Sequence, residues 1–566
     1  MPIGVTSIGY DPLGHPTSYS NDDSSILLTY DSLGELASTT TSGTSSSPQP
    51  TVTLSYAYDA VGNQLSITGP EGRTAYGYDS LNRITSVTDP SAAPFTFGYD
   101  LLSRLTSLSR PDGVNDALTY DSAGRLLSRQ ASLGSNQLAR AAYAYDGASR
   151  RTGLSDSTGS SSFNYDQLGQ LIAATHPNSG PPAENYTYDQ IGNRTSWVGS
   201  PQTSTTYDAA DRLTSDGSFT YVYDAEGNML SKTSRTTGQT TTFDWSGVHE
   251  LRAVHSPDGT TASYRYDPLG RRIEVNSAGQ ITRYVYDRDN IHLEYDGNNN
   301  LAASYVTGLA ADKPLEMVRG GQAYYYLLDG LGSTIGLVDS SGKIAVSYSY
   351  DGFGRLFTTS TLANPYTFTG RPYDAKSGLY YDRGRYFDPQ IGRFLSPDTV
   401  TSINPYPYAD NAPTNLVDPS GHVTIIEYAF IKARALVVGV VPLSVLGRNL
   451  VRIFNLLNKI ARNHRTLSFA DLFNEETGES EQVASMSGNN WSAVTRDAVT
   501  QAGYKIVPAA GKHAEEAIAD YANETRQSVQ QIGTIGPRPI CGACRGLLED
   551  NNPNLEFPGP QQAPPP

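Results

Sequence analysis

Cysteine is nearly absent from this sequence. Cys541 and Cys544 are the two cysteines among 566 residues, so packing and hydrogen bonding, rather than a disulfide framework, must stabilise the fold. An excess of basic charge is also missing. The formal net charge of −16 and the isoelectric point near 5.0 argue against a broad basic surface for gripping nucleic acid.

Signal-like and membrane-spanning segments are missing as well. The first twenty residues lack the basic start and apolar region of a Sec signal peptide, so we expect either dedicated secretion machinery or a longer parent chain. The apolar segment 423–464 has its longest uncharged stretch from Ala435 to Gly447, which is shorter than the roughly 18–20 residues that span a bilayer. This segment predicts a packed helix or a helical linker, with membrane contact during delivery left open.

Tyrosine is abundant, with 38 residues against 15 phenylalanines, and there are 53 glycines. This composition favours β-strands joined by tight turns. Tyr-Asp pairs recur at intervals of mostly about 20 residues, and a fixed period of that size is typical of repeat architectures. The aspartates of these pairs stand at positions 11, 31, 59, 79, 100, 121, 146, 166, 189, 208, 224, 267, 287 and 351.

The chemistry of one repeat predicts its structure. The tyrosine ends a strand, and the Asp-x-x-Gly that follows forms a turn in which the carboxylate accepts backbone N–H bonds and glycine supplies a positive φ. The next strand begins at the apolar residue after Arg or Asn. Because a lone hairpin is unstable, neighbouring hairpins must pair edge to edge. We therefore expect a mostly β fold with one long, coiled antiparallel sheet.

The repeats end in a distinctive block, TGRPYDAKSGLYYDRGRYFDPQIGRFLSPDTV (Thr369–Val400), followed by NPYPYADNAPTNLVDPSG (Asn404–Gly421). Over about residues 5–421 the sequence resembles the RHS/YD-repeat family, and this block resembles the RHS-associated core. The resemblance implies a hollow β-hairpin shell (1–368) and a core with its junction (369–422), which enclose the polypeptide that follows. The alternative is a non-enzymatic surface or adhesion protein without cargo.

The junction between the core and the following segment carries a second family feature. The RHS core often ends in Asp-Pro-x-Gly-Leu and cuts itself there in some members; here Asp418-Pro419-Ser420-Gly421 is followed by His422 instead of leucine. The resemblance assigns the protease carboxylates to Asp388 and Asp398, upstream of Asp418. Two close carboxylates can share one proton and act as acid and base. Alternatively, these aspartates only cap turns.

Residues 465–566 predict a small α/β domain. The segments WSAVTRDAVTQAG, HAEEAIADYANETRQ and CGACRGLLED are typical of helices, whereas YKIVPA and VQQIGTIG between them are typical of strands. His513 and Glu515 begin the second of these helices, and Cys541 and Cys544 begin the third. One imidazole and two thiolates make three zinc ligands with an open fourth position, the mark of a catalytic zinc site.

This His-x-Glu and Cys-x-x-Cys arrangement resembles the zinc nucleobase deaminases, and specifically the toxin domains found behind RHS shells. The resemblance implies one Zn²⁺ held by His513, Cys541 and Cys544, with Glu515 as the proton shuttle. Ile540 stands where the family motif has proline. A structural zinc site and a redox pair are the alternatives for the two cysteines.

The resemblance favours deamination of cytosine to uracil in DNA, with single strands easier because no base need leave a stack. RNA, adenine and free nucleosides stay open. From Arg465 onward there are 7 basic and 13 acidic residues, which weakens the case for tight phosphate binding. Arg526, Arg538 and Arg545 are the candidate nucleic-acid contacts. The resemblance implies a secreted effector of interbacterial competition that acts in the target-cell cytoplasm. It also implies a cognate immunity protein that blocks the effector.

Overall fold

The computed structural model describes residues 7–177, 180–198, 205–308, 312–358, 360, 362–400 and 404–422, together with the backbone of five later strands. The chain divides into two compact units, residues 1–431 and 432–566, which are described separately. Among the described residues, no helix combines the length and the apolar character that crossing a bilayer requires.

The first sheet contains 18 strands, and each strand pairs antiparallel with the next one along the chain. Its strands are β1 (Ser7–Tyr10), β2 (Pro16–Ser20), β3 (Ser24–Tyr30), β4 (Leu36–Gly43), β5 (Val52–Tyr58), β6 (Gln64–Gly69), β7 (Gly72–Tyr78), β8 (Ile84–Thr88), β9 (Pro94–Tyr99), β10 (Leu105–Ser109), β11 (Val114–Tyr120), β12 (Leu126–Leu133), β13 (Asn136–Tyr145), β14 (Arg151–Asp156), β15 (Gly159–Tyr165), β16 (Leu171–Thr175), β17 (Glu184–Tyr188) and β18 (Arg194–Val198).

The second sheet contains 15 strands with the same sequential antiparallel pairing. Its strands are β19 (Thr206–Tyr207), β20 (Leu213–Ser215), β21 (Phe219–Tyr223), β22 (Met229–Ser234), β23 (Thr240–Trp245), β24 (Leu251–His255), β25 (Thr261–Tyr266), β26 (Arg272–Ser277), β27 (Gln280–Asp287), β28 (Asn290–Asp296), β29 (Leu301–Thr307), β30 (Pro314–Arg319), β31 (Gln322–Leu328), β32 (Thr334–Asp339) and β33 (Ile344–Ser347).

The expectation of one continuous sheet is therefore corrected to two. Strand β19 is two residues long, and the described backbone bonding toward β18 is one bond, from Thr205 N–H to the Thr195 carbonyl, beside a bond from the Tyr207 hydroxyl to the Arg194 carbonyl. Among the described residues, the ladder of the first sheet therefore does not continue from β18 into β19. The mostly β, antiparallel character predicted from the sequence is confirmed.

The block after the repeats forms a smaller sheet. It comprises β34 (Tyr373–Asp374), β35 (Leu379–Asp382), β36 (Arg385–Asp388) and β37 (Arg393–Phe394). Two short 3₁₀ turns, Phe368–Gly370 and Tyr408–Asn411, flank it, and β38 (Leu416–Val417) pairs with β39 (Ile425–Ile426). The last strand before the junction thus ends one residue before Asp418.

The Tyr-Asp turn has the predicted geometry. At Asp31, one carboxylate oxygen accepts the N–H groups of Leu33 and Glu35 at 2.8 and 2.9 Å, and Gly34 has a φ of +81°. The strand before the turn ends at Tyr30, where the ladder register shifts. A local carboxylate cap and a left-handed residue therefore build these turns; that residue is glycine at Gly34, and Asn82, Ser103, Ser149 or Asp211 at other turns.

Neighbouring turns are joined by the tyrosines and arginines of the repeat. The Tyr99 hydroxyl donates to the Ile84 carbonyl at 2.8 Å, a bond that phenylalanine could not make. The Arg83 guanidinium pairs with Asp79 at 2.6 Å and lies 4.7 Å from the centre of the Tyr99 ring. This pattern recurs along the first sheet and explains why tyrosine outnumbers phenylalanine.

The apolar core joins the two long sheets to each other and to the small sheet β34–β37 with its flanking turns, which we call the terminal block. Val87 and Phe95 of the first sheet share one buried cluster with Leu293 and Val338 of the second. A separate cluster packs side chains of the first sheet against the terminal block; its members include Phe163, Leu171, Tyr186, Phe353, Phe387 and Tyr408. The terminal block is therefore fixed against a long sheet, which gives the junction a rigid surrounding.

The second unit contains one described four-stranded sheet, in the order β42-β41-β40-β43. Its strands are β40 (Leu467–Phe473), β41 (Ser480–Met486), β42 (Lys505–Ile506) and β43 (Ser528–Ile535). Strand β40 is antiparallel to both β41 and β43, and β42 is parallel to β41. The two strands predicted in this region are confirmed as β42 and β43, whereas β40 and β41 were not predicted.

Candidate active site at the junction

The junction Asp418–His422 folds as a turn of the Tyr-Asp type. The His422 N–H donates to Asp418 Oδ1 at 3.0 Å, the Gly421 N–H donates to the Asp418 carbonyl at 3.4 Å, and Gly421 has a φ of +73°. These contacts repeat those of the repeat turns, where the residue after glycine donates its N–H to the aspartate. The junction is therefore a repeat turn in its backbone.

The guanidinium of Arg385, at the start of β36, holds this turn. Its Nε–H donates to the Gly421 carbonyl oxygen, and one terminal nitrogen lies 2.9 Å from Asp398 Oδ2 and 3.3 Å from Asp418 Oδ2. The other terminal nitrogen donates to the Pro405 carbonyl at 2.7 Å. Arg385 is 4 % exposed, so its contacts operate in a low-dielectric surrounding where charge–charge interactions are strong.

His422 adds an imidazole to the cluster. Its Nδ1 lies 2.9 Å from Asp398 Oδ1, and its ring covers the backbone of Gly384 in the turn between β35 and β36. A side chain at Gly384 would collide with the ring, and one at Gly421 would collide with the Asp382 carbonyl. Glycine at both positions thus allows the junction to press against the β35–β36 turn.

Asp382 lies beneath the junction and is 1 % exposed. Neither of its carboxyl oxygens has a hydrogen-bond partner among the described atoms, and the Arg371 Nε is 3.6 Å from Oδ1. Burial raises the pKa of Asp382 to about 7, with the nearby Asp418 charge adding to the effect and Arg371 opposing it. Asp382 is therefore a buried carboxyl group that is neutral at acidic pH and ionises only as the pH approaches and passes about 7.

This raised pKa predicts how stability depends on pH. Since the carboxyl is neutral in the fold and ionises near its usual value of 3.8 when unfolded, its contribution is present below that value and is lost as the pH rises through about 7. We expect Asp382→Asn to leave the melting temperature at pH 4 unchanged and to raise it by several degrees at pH 8. Asp258→Asn, at an exposed turn, should not raise it at pH 8; an equal rise would contradict the assignment.

Asp388, by contrast, has other partners. Its Oδ2 lies 3.0 Å from the Lys232 Nζ and its Oδ1 accepts the Gln390 N–H at 2.8 Å. The described contacts bring Asp398 and Asp418 together on Arg385, whereas the pairing of Asp388 with Asp398 stays a prediction. Asp388 caps its own turn and binds a neighbouring strand.

Sequence reasoning missed Arg385 and Asp382. Both stand in YYDRGRYFD, which contains one further arginine, Arg383, and one further aspartate, Asp388, of the same appearance. One available signal was the repeated pattern Asp-Pro-x-Gly-His, found at residues 11–15 and 418–422. That repetition identifies the junction as a turn of known geometry, although it does not name the residues that face it.

The predicted zinc ligands His513, Cys541 and Cys544, the predicted proton shuttle Glu515, and Arg526, Arg538 and Arg545 lie outside the described residues. Between the two halves of the motif in the chain, the structure describes the backbone of β43.

Comparisons with known proteins concern mainly the shell. The teneurin YD-shell family model matches residues 114–414, and the RHS repeat model matches residues 58–94. The tRNA nuclease WapA of Bacillus subtilis is 32% identical over 292 residues, covering 46% of this chain and 12% of that protein. The double-stranded DNA deaminase toxin A of Burkholderia cenocepacia is 29% identical over 331 residues, covering 51% of this chain and 22% of that protein.

The fold also matches a solved structure. The crystal structure of TcdB2-TccC3-Cdc42 superposes with a TM-score of 0.60 at 19% identity, covering 72% of this chain and 24% of that one. The chain thus matches less than a quarter of the length of each of these proteins. Because the YD-shell match spans more than half of its 566 residues, this chain belongs to the teneurin YD-shell family.

Proposed function

We propose that this chain is the shell and cargo portion of a polymorphic toxin used in competition between bacteria. Its C-terminal residues 465–566 deaminate cytosine to uracil in DNA, and the junction cluster separates this cargo from the shell by cutting the chain. The observation that carries the proposal is the joint presence of His513, Glu515, Cys541 and Cys544 behind a YD shell that ends in an intact core.

The donor set fits a catalytic zinc ion. His513, Cys541 and Cys544 supply one imidazole and two thiols, a combination that suits Zn²⁺ and leaves one position for a small ligand. A zinc ion held by these residues would lower the pKa of its water ligand toward neutrality. Glu515 stands two residues after the histidine, where its carboxylate can accept a proton and deliver it to the departing amine.

The backbone of the second unit is compatible with this arrangement. Strand β43 separates the two halves of the motif in the chain and pairs with β40 over its whole length. A strand between the two predicted helices would let both helix N-termini approach the same end of the sheet. Thiolates are stabilised at such positions by the helix dipole.

DNA is the favoured substrate, on two grounds. One relative is named a double-stranded DNA deaminase toxin, and the residue types of the motif suit attack on an amidine carbon such as C4 of cytosine. The acidic balance of the segment argues against a large phosphate-binding surface, so we assign nucleic-acid contact to Arg526, Arg538 and Arg545 near the motif. A cognate immunity protein and a secretion system are the expected partners.

The junction cluster supports self-cleavage. The guanidinium of Arg385 and the carboxylates of Asp398 and Asp418 meet at the junction turn. This turn lies directly after the core and before the apolar segment. A cation on a peptide carbonyl and a carboxylate beside the same peptide are the elements that peptide hydrolysis needs. Cleavage here would free the cargo from the shell.

The deaminase part is tested by expressing residues 423–566 in a bacterium that lacks uracil-DNA glycosylase. We expect C-to-T changes to accumulate with the wild type and with Glu516→Ala, and to fall to background with Glu515→Ala, because only Glu515 has the spacing of the proton shuttle. If only A-to-G changes appear, the substrate base is adenine and not cytosine. If soluble protein accumulates without changes in DNA or RNA, the result contradicts the deaminase proposal and favours the alternative of a non-enzymatic surface protein.

A further inference from the structure

Two turns of the same kind, Asp329–Ser333 and Asp351–Arg355, bring the later part of the shell onto the first sheet. In each turn, the aspartate Oδ1 accepts the N–H groups of the residues two and four positions later, at 2.7 to 3.0 Å. The left-handed position is glycine in both, with a φ of +84° at Gly332 and at Gly354. The first turn is therefore an internal reference for the second.

The two turns meet different groups of the first sheet. The Gly330 N–H donates to the Tyr143 hydroxyl at 2.6 Å, whereas the Gly352 N–H donates to Glu184 Oε1 at 3.0 Å and to Oε2 at 3.2 Å. A side chain at either glycine would meet a first-sheet atom at 2.9 Å, so both turns press on that sheet. The reference turn thus meets a neutral hydroxyl, and the second turn meets a carboxyl group.

The surroundings of Glu184 favour its ionised form. Its side chain is 9% exposed, its Oε1 lies 2.6 Å from His176 Nε2, and its Oε2 accepts the Tyr186 hydroxyl. The Arg194 guanidinium lies 4.4 Å from the centre of the Tyr186 ring and 4.0 Å from that of Phe353. Hydrogen bonds to a carboxylate stabilise its charge, and the Gly352 N–H adds to them.

The Asp351 carboxyl group lies beside this anion. Loss of surrounding water and the Glu184 charge raise the pKa of Asp351 to about 8, while the N–H groups of its own turn and the Arg355 side chain oppose the shift. The hydroxyls of Tyr186 and of Tyr380, on β35, also face it. Below about pH 8 the two carboxyl groups therefore carry one negative charge between them.

A second pair of carboxyl groups joins the two long sheets. Asp89, in the turn between β8 and β9, is 3% exposed, and Glu316 on β30 is 2% exposed. Burial and a hydrogen bond with Asp89 raise the pKa of Glu316 to about 8, and such a bond needs one proton. Asp89 Oδ1 accepts the Ala93 N–H at 2.8 Å. Tyr325 stands opposite Glu316 in the ladder, with Asp112 acting on the same tyrosine.

We propose that the pairs Glu184–Asp351 and Asp89–Glu316 form a pH-sensitive seam, which holds the first sheet against the later part of the shell in acid and loosens as the pH rises. Each pair needs one proton to avoid two negative charges in contact. A carboxyl group that stays neutral in the closed seam and ionises once the seam opens stabilises the closed form at acidic pH, and this stabilisation is lost as the pH rises through about 8. The inference concerns the shell and depends on neither deamination nor cleavage.

Loosening at Asp351 acts on the terminal block. Phe353, in the same turn, belongs to the cluster that packs the first sheet against that block, and its ring lies 5.2 Å from the Tyr186 ring. The Tyr380 hydroxyl of the terminal block donates to the Gly354 carbonyl at 2.7 Å. Opening the seam therefore weakens the hold of the first sheet on the terminal block.

Hydrogen exchange of the full chain, followed by mass spectrometry and corrected for the intrinsic pH dependence of exchange, tests the seam. We expect the protection of residues 351–355 and 89–93 to fall by about tenfold per pH unit between about pH 5 and pH 7.5, because each opening releases one proton. Above about pH 8 the protection should level off. Protection that does not change with pH in the wild type would overturn the seam.

Variants assign the protons to their groups. Asp351→Asn keeps an oxygen for the N–H groups of its turn but cannot ionise, so residues 351–355 should keep their protection at all these pH values while residues 89–93 still lose theirs. Glu316→Gln should give the converse result. Asp329→Asn in the reference turn is the matched control and should leave both pH slopes unchanged. Melting temperatures at acidic pH show that each variant is folded. A slope that survives at 351–355 in Asp351→Asn, or that disappears equally in Asp329→Asn, would contradict the proposal.

Discussion

Replacing Asp418 by asparagine is expected to slow cleavage at the junction by about 100- to 10,000-fold, the range that a general acid–base group contributes. Asparagine keeps the size of the side chain and an oxygen that can accept the His422 N–H, so the turn can still form. It cannot take a proton from water. The measurement is the rate at which the full chain converts to two fragments on a denaturing gel, with wild type and variant at equal concentration.

The matched control is Asp11→Asn in the first Asp-Pro-x-Gly-His turn. It makes the same chemical change in the same backbone geometry, but in a turn that is more exposed and whose histidine bonds its own aspartate. We expect wild-type cleavage from it. Slowing of similar size in both variants would mean that the effect comes from weakened turns in general, and Asp418 would lose its chemical role.

The repeat turn is the part of the fold that the sequence predicts best, because everything that builds it is local. The carboxylate of Asp31 bonds the N–H groups of residues two and four positions later, and the glycine that follows supplies the left-handed conformation. Such contacts recur with the sequence pattern itself. Strand ends at Tyr30 and Tyr58 could be predicted for the same reason.

The junction cluster could not be predicted in this way. Arg385 contacts residues 13 to 36 positions away, and those contacts exist only because β36 packs beside the turn. Asp388 and Asp398 both resemble turn-capping aspartates in sequence. Their different partners, Lys232 for one and His422 for the other, depend on the packing of distant strands. Tertiary contacts thus decide which carboxylates meet.

The same reasoning explains why the sequence predicted neither the break between the two long sheets nor strands β40 and β41. The break between the long sheets falls beside β19, a two-residue strand, and no local pattern in its sequence marks a lost ladder. Strands β40 and β41 form a hairpin, but β40 takes its second partner from β43, more than 50 residues later. Pairing over that distance is not encoded in a short window of sequence.

Replacing Cys544 by serine is expected to abolish both zinc binding and deamination in the cargo, and this experiment separates the three interpretations of the cysteine pair. With full-length protein, we expect about one zinc per chain for the wild type and near zero for Cys544→Ser and His513→Ala, because a site with three protein ligands loses most of its affinity when one is removed. His464→Ala, which changes another histidine beyond the core, should retain the metal.

Glu515→Ala completes this experiment because it separates metal binding from chemistry. We expect it to keep its zinc, measured by elemental analysis, and to lose deamination by at least about 100-fold. A structural zinc site predicts zinc loss with Cys544→Ser but full activity with Glu515→Ala. A redox pair predicts no zinc in any variant and a disulfide in the oxidised wild type. Only a catalytic zinc site gives a Glu515 variant that is metal-loaded and inactive beside a Cys544 variant that lacks both.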